Sequence, residues 1–212
     1  MVGKGVLLEC LDHPAVTEVL TIGRSSIEME HNKLKQLKHA DFSDFSSVRN
    51  ELIGYDAAYL CMGVSSAGMS EEEYTQKTHS FTLNLAKLLY ELNKEMTCIY
   101  VSGQGTDSSE SGRSMWARVK GKTENDLLKL GFRQAFMFRP GGIIPERGVV
   151  PSSKIYRFAI NWFGWLLPIF KFLSPHSIVK SSEIGKAMIA ITLHGYNQSI
   201  IDPRDMLNIV NQ

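Results

Sequence analysis

The chain has 212 residues, 43% of them hydrophobic and 9% aromatic, with 23 Lys and Arg set against 22 Asp and Glu. Such a length suits one folded domain with a sizeable core, and this composition excludes a disordered segment. The near-neutral charge, with both signs interleaved along the chain, excludes a strongly basic surface of the kind that binds nucleic acid, so no polyanion partner is expected.

In chain order, Val6, Leu7, Cys10 and Leu11 recur at helical spacing from Gly3, and His13-Pro14 ends the run. Residues 18–23 form a short β-branched run closed by Gly23-Arg24, which reads as a buried strand. A second strand at 34–39 precedes Ala40-Asp41-Phe42. Asp44 can cap a helix carrying Phe45, Val48 and Leu52, with Gly54 as its stop. Residues 57–62 give a third strand, followed by the loose segment 63–68. Ser70 and Glu73 have capping-box spacing, and Tyr74, Thr78, Phe81, Leu85, Leu88, Leu89 and Leu92 then line one long helical face.

Strands at 97–102 and 134–138 flank a helix from about Ser114 to Leu130 that stops at Gly131. Strand and helix alternate throughout, which predicts an α/β fold with a doubly wound parallel sheet and helices on both faces. After Pro140 the glycines and prolines crowd together, so residues 1–142 read as the core and 143–212 as a small C-terminal helical lid region packed on it. That tail offers the apolar run 158–173, a helix at 182–194 stopped by Gly195, and a short strand at 199–201. The apolar run contains Asn161, Pro168 and Lys171 and falls short of the ~20 residues of a membrane span. Cys10, Cys61 and Cys98 are too far apart for a zinc cluster, so no metal is expected and all three read as buried, reduced thiols. With no secretory signal at the N-terminus, the expected location is the cytoplasm.

This order of elements, with several motifs, resembles the atypical, epimerase-like branch of the short-chain dehydrogenase/reductase superfamily, which binds NAD(P) on a Rossmann-like sheet. The resemblance runs to about Asp202. In that family the first strand ends in a Gly-x-x-Gly-x-x-Gly turn, and the next helix aims its N-terminus at the pyrophosphate. Met1-Val2-Gly3 matches the last third of that turn, so the resemblance implies that the first strand and two glycines lie upstream of residue 1. It also implies that the chain as it stands holds little NADP(H), because half the pyrophosphate cradle is missing.

Other family positions fall on Arg24, Asp41-Phe42, Met62-Gly63 and Arg139-Pro140-Gly141. An acidic residue after the second strand bonds the ribose 2′-hydroxyl of NAD, whereas arginine there suits the 2′-phosphate of NADP; Arg24 therefore implies NADP over NAD. Asp41 and Phe42 stand at the adenine, Met62 and Gly63 at a close backbone approach, and Arg139, Pro140 and Gly141 along the nicotinamide. Each also has a plainer reading: a solvated surface arginine, a strand end, an ordinary turn and a strand-ending turn.

At the chemical centre the family uses Tyr-x-x-x-Lys, one helical turn apart, with a preceding Ser or Thr. The lysine bonds the nicotinamide ribose and lowers the tyrosine pKa for proton transfer. Here Lys120 and Ser102 match, but Trp116 stands where the tyrosine should be, and an indole N–H does not exchange a proton near neutral pH. Between Tyr100 and Tyr156 there is no other tyrosine. Tyr100 reads as a core strand residue and Tyr156 as a candidate substitute from the loop.

Two readings follow: an oxidoreductase or epimerase-like enzyme on a small carbonyl or sugar substrate, or an NADP(H)-binding sensor without turnover. The aromatic stretch with Trp162, Phe163, Trp165 and Phe170 reads as lid or core packing. An apolar substrate pocket, a homodimer contact and a membrane-surface patch are its alternatives.

Overall fold

A computed structural model describes residues 1–149 and 177–211. The aromatic stretch and Tyr156 lie outside the described residues. The best-buried strand is β4 (Thr97–Val101), every residue of which is buried. It pairs in parallel with β3 (Ala57–Leu60) on one side and β5 (Gln134–Phe138) on the other, and β5 pairs in turn with the short β8 (Ile200–Ile201). A strand buried on both faces needs apolar residues at every position, and Cys98, Ile99, Tyr100 and Val101 meet that demand.

The alternation of side chains sorts the core into two layers. Ile99, Val101, Phe136 and Phe138 face one layer, which contains Val6 and Cys10 of helix α1 (Val2–Asp12), with Ile184, Met188 and Ile191 of a helix near the C-terminus, Ser181–His194. Cys98, Tyr100 and Met137 face the other, with Leu85 and Leu89 of Phe81–Leu92 and Leu127 of Met115–Lys129. In chain order these helices are α2 (Glu71–Thr75), α3 (Phe81–Leu92), α4 (Met115–Lys129), α5 (Ser181–His194) and α6 (Pro203–Val210). The doubly wound parallel α/β arrangement is thus the one expected from the alternation of elements.

Two further parallel pairs complete the strands: β1 (Val19–Gly23) with β2 (Leu34–Lys38), and β6 (Gly142–Ile144) with β7 (Ile178–Lys180). Val19 joins the same core layer as Tyr59, while Leu20 and Ile22 join the layer of Ala58 and Leu60. The β1–β2 pair therefore continues the plane of the larger sheet. Tyr55, just before β3, donates to Glu18, just before β1, at 2.7 Å, so both strands start at the same end. Even so, β1 and β3 are not hydrogen-bonded to each other, and each keeps one free edge among the described residues. Every residue of β1 is accordingly only half-buried, in contrast to β4.

Several local expectations are corrected. The long helical face from Tyr74 to Leu92 is interrupted by a π-helical turn at Gln76–Ser80, where Thr82 donates its hydroxyl back to the Thr78 carbonyl at 2.6 Å. Its capping box stands, with Ser70 Oγ accepting from the Glu73 amide at 3.2 Å. Asp44 accepts from the Ser46 amide at 2.8 Å just ahead of the next element, but the cap position there is Phe45, without a side-chain cap bond, and Ser46–Leu52 is a 3-10 helix rather than an α-helix. α6 escaped notice although Asp202, Pro203 and Asp205 carry a start signal, and Asp205 Oδ2 accepts from the Asp202 amide at 3.1 Å. Cys10 and Cys98 are buried free thiols pushed up to about 12 by burial, whereas Cys61 is only half-buried.

Two glycines hold helices at distances no side chain permits. A Cβ at Gly185 of α5 would stand 2.8 Å from Glu9 Cγ and 3.1 Å from Val6 Cα of α1. At Gly121 of α4 it would collide with the Asp107 carbonyl, part of the loop that carries the end of β4 back to α4. Gly185→Ala should therefore lower stability by about 1–2 kcal/mol in a denaturant melt, even though alanine favours a helix by ~0.5–1 kcal/mol. For Gly121→Ala the collision is with main chain, so a loss of at least ~2 kcal/mol and faster proteolysis of residues 103–112 are expected.

Candidate functional site

Because the strands are parallel, their C-terminal ends share one rim, and most residues singled out in the sequence gather there. α1 begins at this rim: the Cβ that Gly3 lacks would lie 3.3 Å from Cys61 Cβ, just past β3. Met62 and Gly63 follow, and the position of a Cβ on Gly63 is open space. Arg24 follows β1, exposed, with no hydrogen bond or ion pair among the described residues. Asp41 follows β2, but its carboxylate already accepts from the Ser43 amide at 2.8 Å and the Ser43 hydroxyl at 2.5 Å. Those bonds hold its pKa below the usual carboxylate range. Phe42 packs edge-on against Phe45, ring centroids 5.5 Å apart.

At the ends of β4 and β5 the side chains do something the sequence did not announce. Ser102 is 5% exposed, and its hydroxyl donates to Glu124 Oε1 at 2.5 Å and to the Phe138 carbonyl at 3.2 Å. Arg139 donates from Nε to Glu124 Oε1 at 3.0 Å and from a terminal nitrogen to Glu124 Oε2, a two-pronged ion pair. Its other contact is Ser108 Oγ at 2.5 Å. Glu124 itself is fully buried. The serine hydroxyl and the guanidinium are therefore turned into a network around Glu124.

Lys120, one turn before Glu124 on α4, donates its ammonium to the Ser102 carbonyl. It lies beside Gly103, whose φ of +155° is a backbone conformation that residues with side chains rarely adopt; the Cβ missing there would stand 3.7 Å from Lys120 Nζ and 3.9 Å from the Pro140 carbonyl. Burial lowers the Lys120 pKa, and the Glu124 charge opposes that shift. Pro140 is buried, and its carbonyl accepts from the Gln104 amide at 2.9 Å. The room a side chain would need at Gly141 is filled by the Ser177 carbonyl and the Gln104 side chain.

Trp116, one turn before Lys120, lays its indole on Gly105, where a Cβ would meet the ring at 3.3 Å. No tyrosine replaces the missing one among the described residues. The Tyr100 hydroxyl is fully buried without a hydrogen-bond partner and its pKa is raised by burial; Tyr59 Oη is paired with Thr192 at 2.8 Å. A groove of about 360 Å³ lies elsewhere, between the C-terminal turns of α1 and α5, lined by Glu9, Asp12, His13 and Leu193 among others. No helix among the described residues is long and apolar enough to cross a membrane.

Glu124 is the residue that sequence reasoning missed. Its signal was present: Ala117, Gly121, Glu124 and Leu127 fall on the buried stripe of α4, and a carboxylate on an apolar stripe demands a buried partner.

No protein-family model matches the chain. The mitochondrial protein FMP52 of Candida albicans is 25% identical over 210 residues, 95% of this chain and 88% of the relative. Relatives of the same name in other fungi are likewise called mitochondrial, which overturns the expected cytoplasmic location. Among solved structures, the ADP-L-glycero-D-manno-heptose-6-epimerase of Helicobacter pylori superposes with a TM-score of 0.67 at 12% identity, over 100% of this chain and 78% of that one. The enzyme WbmF of Bordetella bronchiseptica, solved in complex with NAD+, superposes with a TM-score of 0.67 at 13% identity, over 99% of this chain and 74% of that one. The chain therefore shares the Rossmann-like α/β fold of these enzymes, and its sequence is similar to that of FMP52.

Proposed function

We propose, against the expectation of weak binding drawn from the partial Met1-Val2-Gly3 match, that the chain binds a nicotinamide dinucleotide along the C-terminal rim of its sheet, as a reductase or epimerase-like protein for a small carbonyl or sugar substrate. The observation that carries this reading is Lys120, a partly desolvated ammonium fixed at the end of β4 beside a glycine, with the open Gly63 approach on the neighbouring strand end. These residues suit the group. An ammonium with donors to spare can bond a ribose hydroxyl, and side-chain-free backbone can approach flat rings closely. Arg24, exposed and unpaired among the described residues, suits a 2′-phosphate and supports NADP(H) over NAD(H). When bound, the dinucleotide would supply hydride transfer; the chain's own part is to hold its ribose at Lys120 and its backbone-facing edge along β3 and β5. Kinship with FMP52 favours a mitochondrial location.

Trp116 motivates a second reading, in which the dinucleotide is held without turnover. The family's proton donor is absent from its position, and an indole does not replace it.

Titration of the chain with NADPH and NADH, read by nicotinamide fluorescence, tests both. Lys120→Ala should weaken NADPH at least ~10-fold, the loss of one hydrogen bond to a charged group. Arg24→Ala should weaken NADPH by a similar factor and leave NADH within about twofold. Steady oxidation of NADPH with a member of a carbonyl panel selects the enzyme; unchanged NADPH in both the native chain and Trp116→Tyr, with binding intact, selects the non-turnover reading. Absence of binding to either dinucleotide overturns both.

A further inference from the structure

Three chain segments converge on one carboxylate beneath the rim. α4 supplies Glu124, the end of β4 supplies the Ser102 hydroxyl, and the end of β5 supplies the Arg139 guanidinium. Ser102 is held at two more points, its amide donating to the Phe138 carbonyl at 2.9 Å and its hydroxyl also reaching that carbonyl. The remaining polar group of Ser102, its carbonyl, receives the Lys120 ammonium. Residue 102 is thus a rigid link: its side chain points down to Glu124 and its carbonyl points up to Lys120.

We propose that Glu124 is the positioning residue for Lys120. It fixes the ammonium twice, through the Ser102 carbonyl that receives it and through the charge one helical turn away that keeps it protonated in a desolvated place. The proposal rests on Lys120 being the cofactor-holding cation, but its geometry and its test concern this chain alone. The charged groups around the ammonium are Glu124 on its own helix and Arg139 from β5. Asp107 of the adjoining loop and Asp202 beyond β8 face Arg139. Glu124 is the only one of these that is both fully buried and tied to Ser102. Replacing it by glutamine removes the charge, takes the ion-pair partner from the half-buried Arg139, and loosens the seat of residue 102.

The test is competitive acetylation of the folded protein over a pH series, with the extent at Lys120 read by peptide mass spectrometry against exposed Lys129 as the internal standard. Native Lys120 should show a midpoint below that of Lys129. In Glu124→Gln the Lys120 midpoint should fall by about one further pH unit while Lys129 stays put, and Glu124→Asp should recover part of that fall. Should Glu124→Gln fail to fold, Glu124→Gln/Arg139→Met removes both charges of the buried pair, an exchange that proteins commonly tolerate. In that folded double variant the Lys120 midpoint should still differ from native. A native-like Lys120 midpoint in the folded double variant overturns the proposal, because the pair would then serve only stability. NADPH titration of the same variants separates the two readings: a chain that binds no dinucleotide refutes the cofactor site and leaves the acetylation result to decide Glu124.

Discussion

The rim of this fold depends on a carboxylate that has no access to water. A buried, ionised glutamate is tolerable only when its charge and lone pairs are matched, and Glu124 is matched by a two-pronged arginine and a serine hydroxyl. Those partners come from different segments, so satisfying one charge fixes the ends of β4 and β5 relative to α4. The loop from Gly103 to Gly112 is then laid over the same helix, with the Asp107 amide donating to the Ala117 carbonyl at 3.1 Å and Asn125 donating to the Ser108 carbonyl at 2.9 Å. Gly121 is the geometric consequence, since helix and loop approach too closely there for any Cβ.

The same constraint explains which parts of the site could be read from sequence. Lys120 was legible through the resemblance to the family's Tyr-x-x-x-Lys pair, of which this chain keeps the lysine. Ser102 and Arg139 were recognised as special but assigned to the ligand side of the rim, when their side chains lie on the core side. Position in the element order tells where a residue stands, not which way it turns; direction is decided by the nearest unsatisfied charge, and that charge belonged to Glu124. The Asp41 carboxylate illustrates the point again, as it is taken by Ser43, two residues along its own turn.

At the level of the fold, the alternation of strand and helix was sufficient because it reflects burial on both faces of a parallel sheet. It could not disclose the division of that sheet between β1 and β3, since side-chain pattern reports faces and not edges. Val19 and Leu20 alternate correctly between the two core layers although β1 has a strand partner on one side only among the described residues. The short β6 and β7 were likewise invisible, being three residues each, too few to show a period.

The exchange of tyrosine for Trp116 divides two tasks that Lys120 would otherwise combine. An ammonium beside a phenol both holds a ribose and eases the phenol's ionisation; with no phenol at position 116, only the holding task keeps its object. The indole still has a physical role, covering Gly105 and closing the loop against the first turn of α4. Among the described residues nothing nearby inherits the proton. Tyr100, two residues before Ser102 on the same strand, is sealed in the core with its pKa raised by burial, so it resists the ionisation a proton donor must undergo. Among the described residues no side chain at this rim is placed to deliver the proton, so holding a dinucleotide and turning it over are separate demands on this chain.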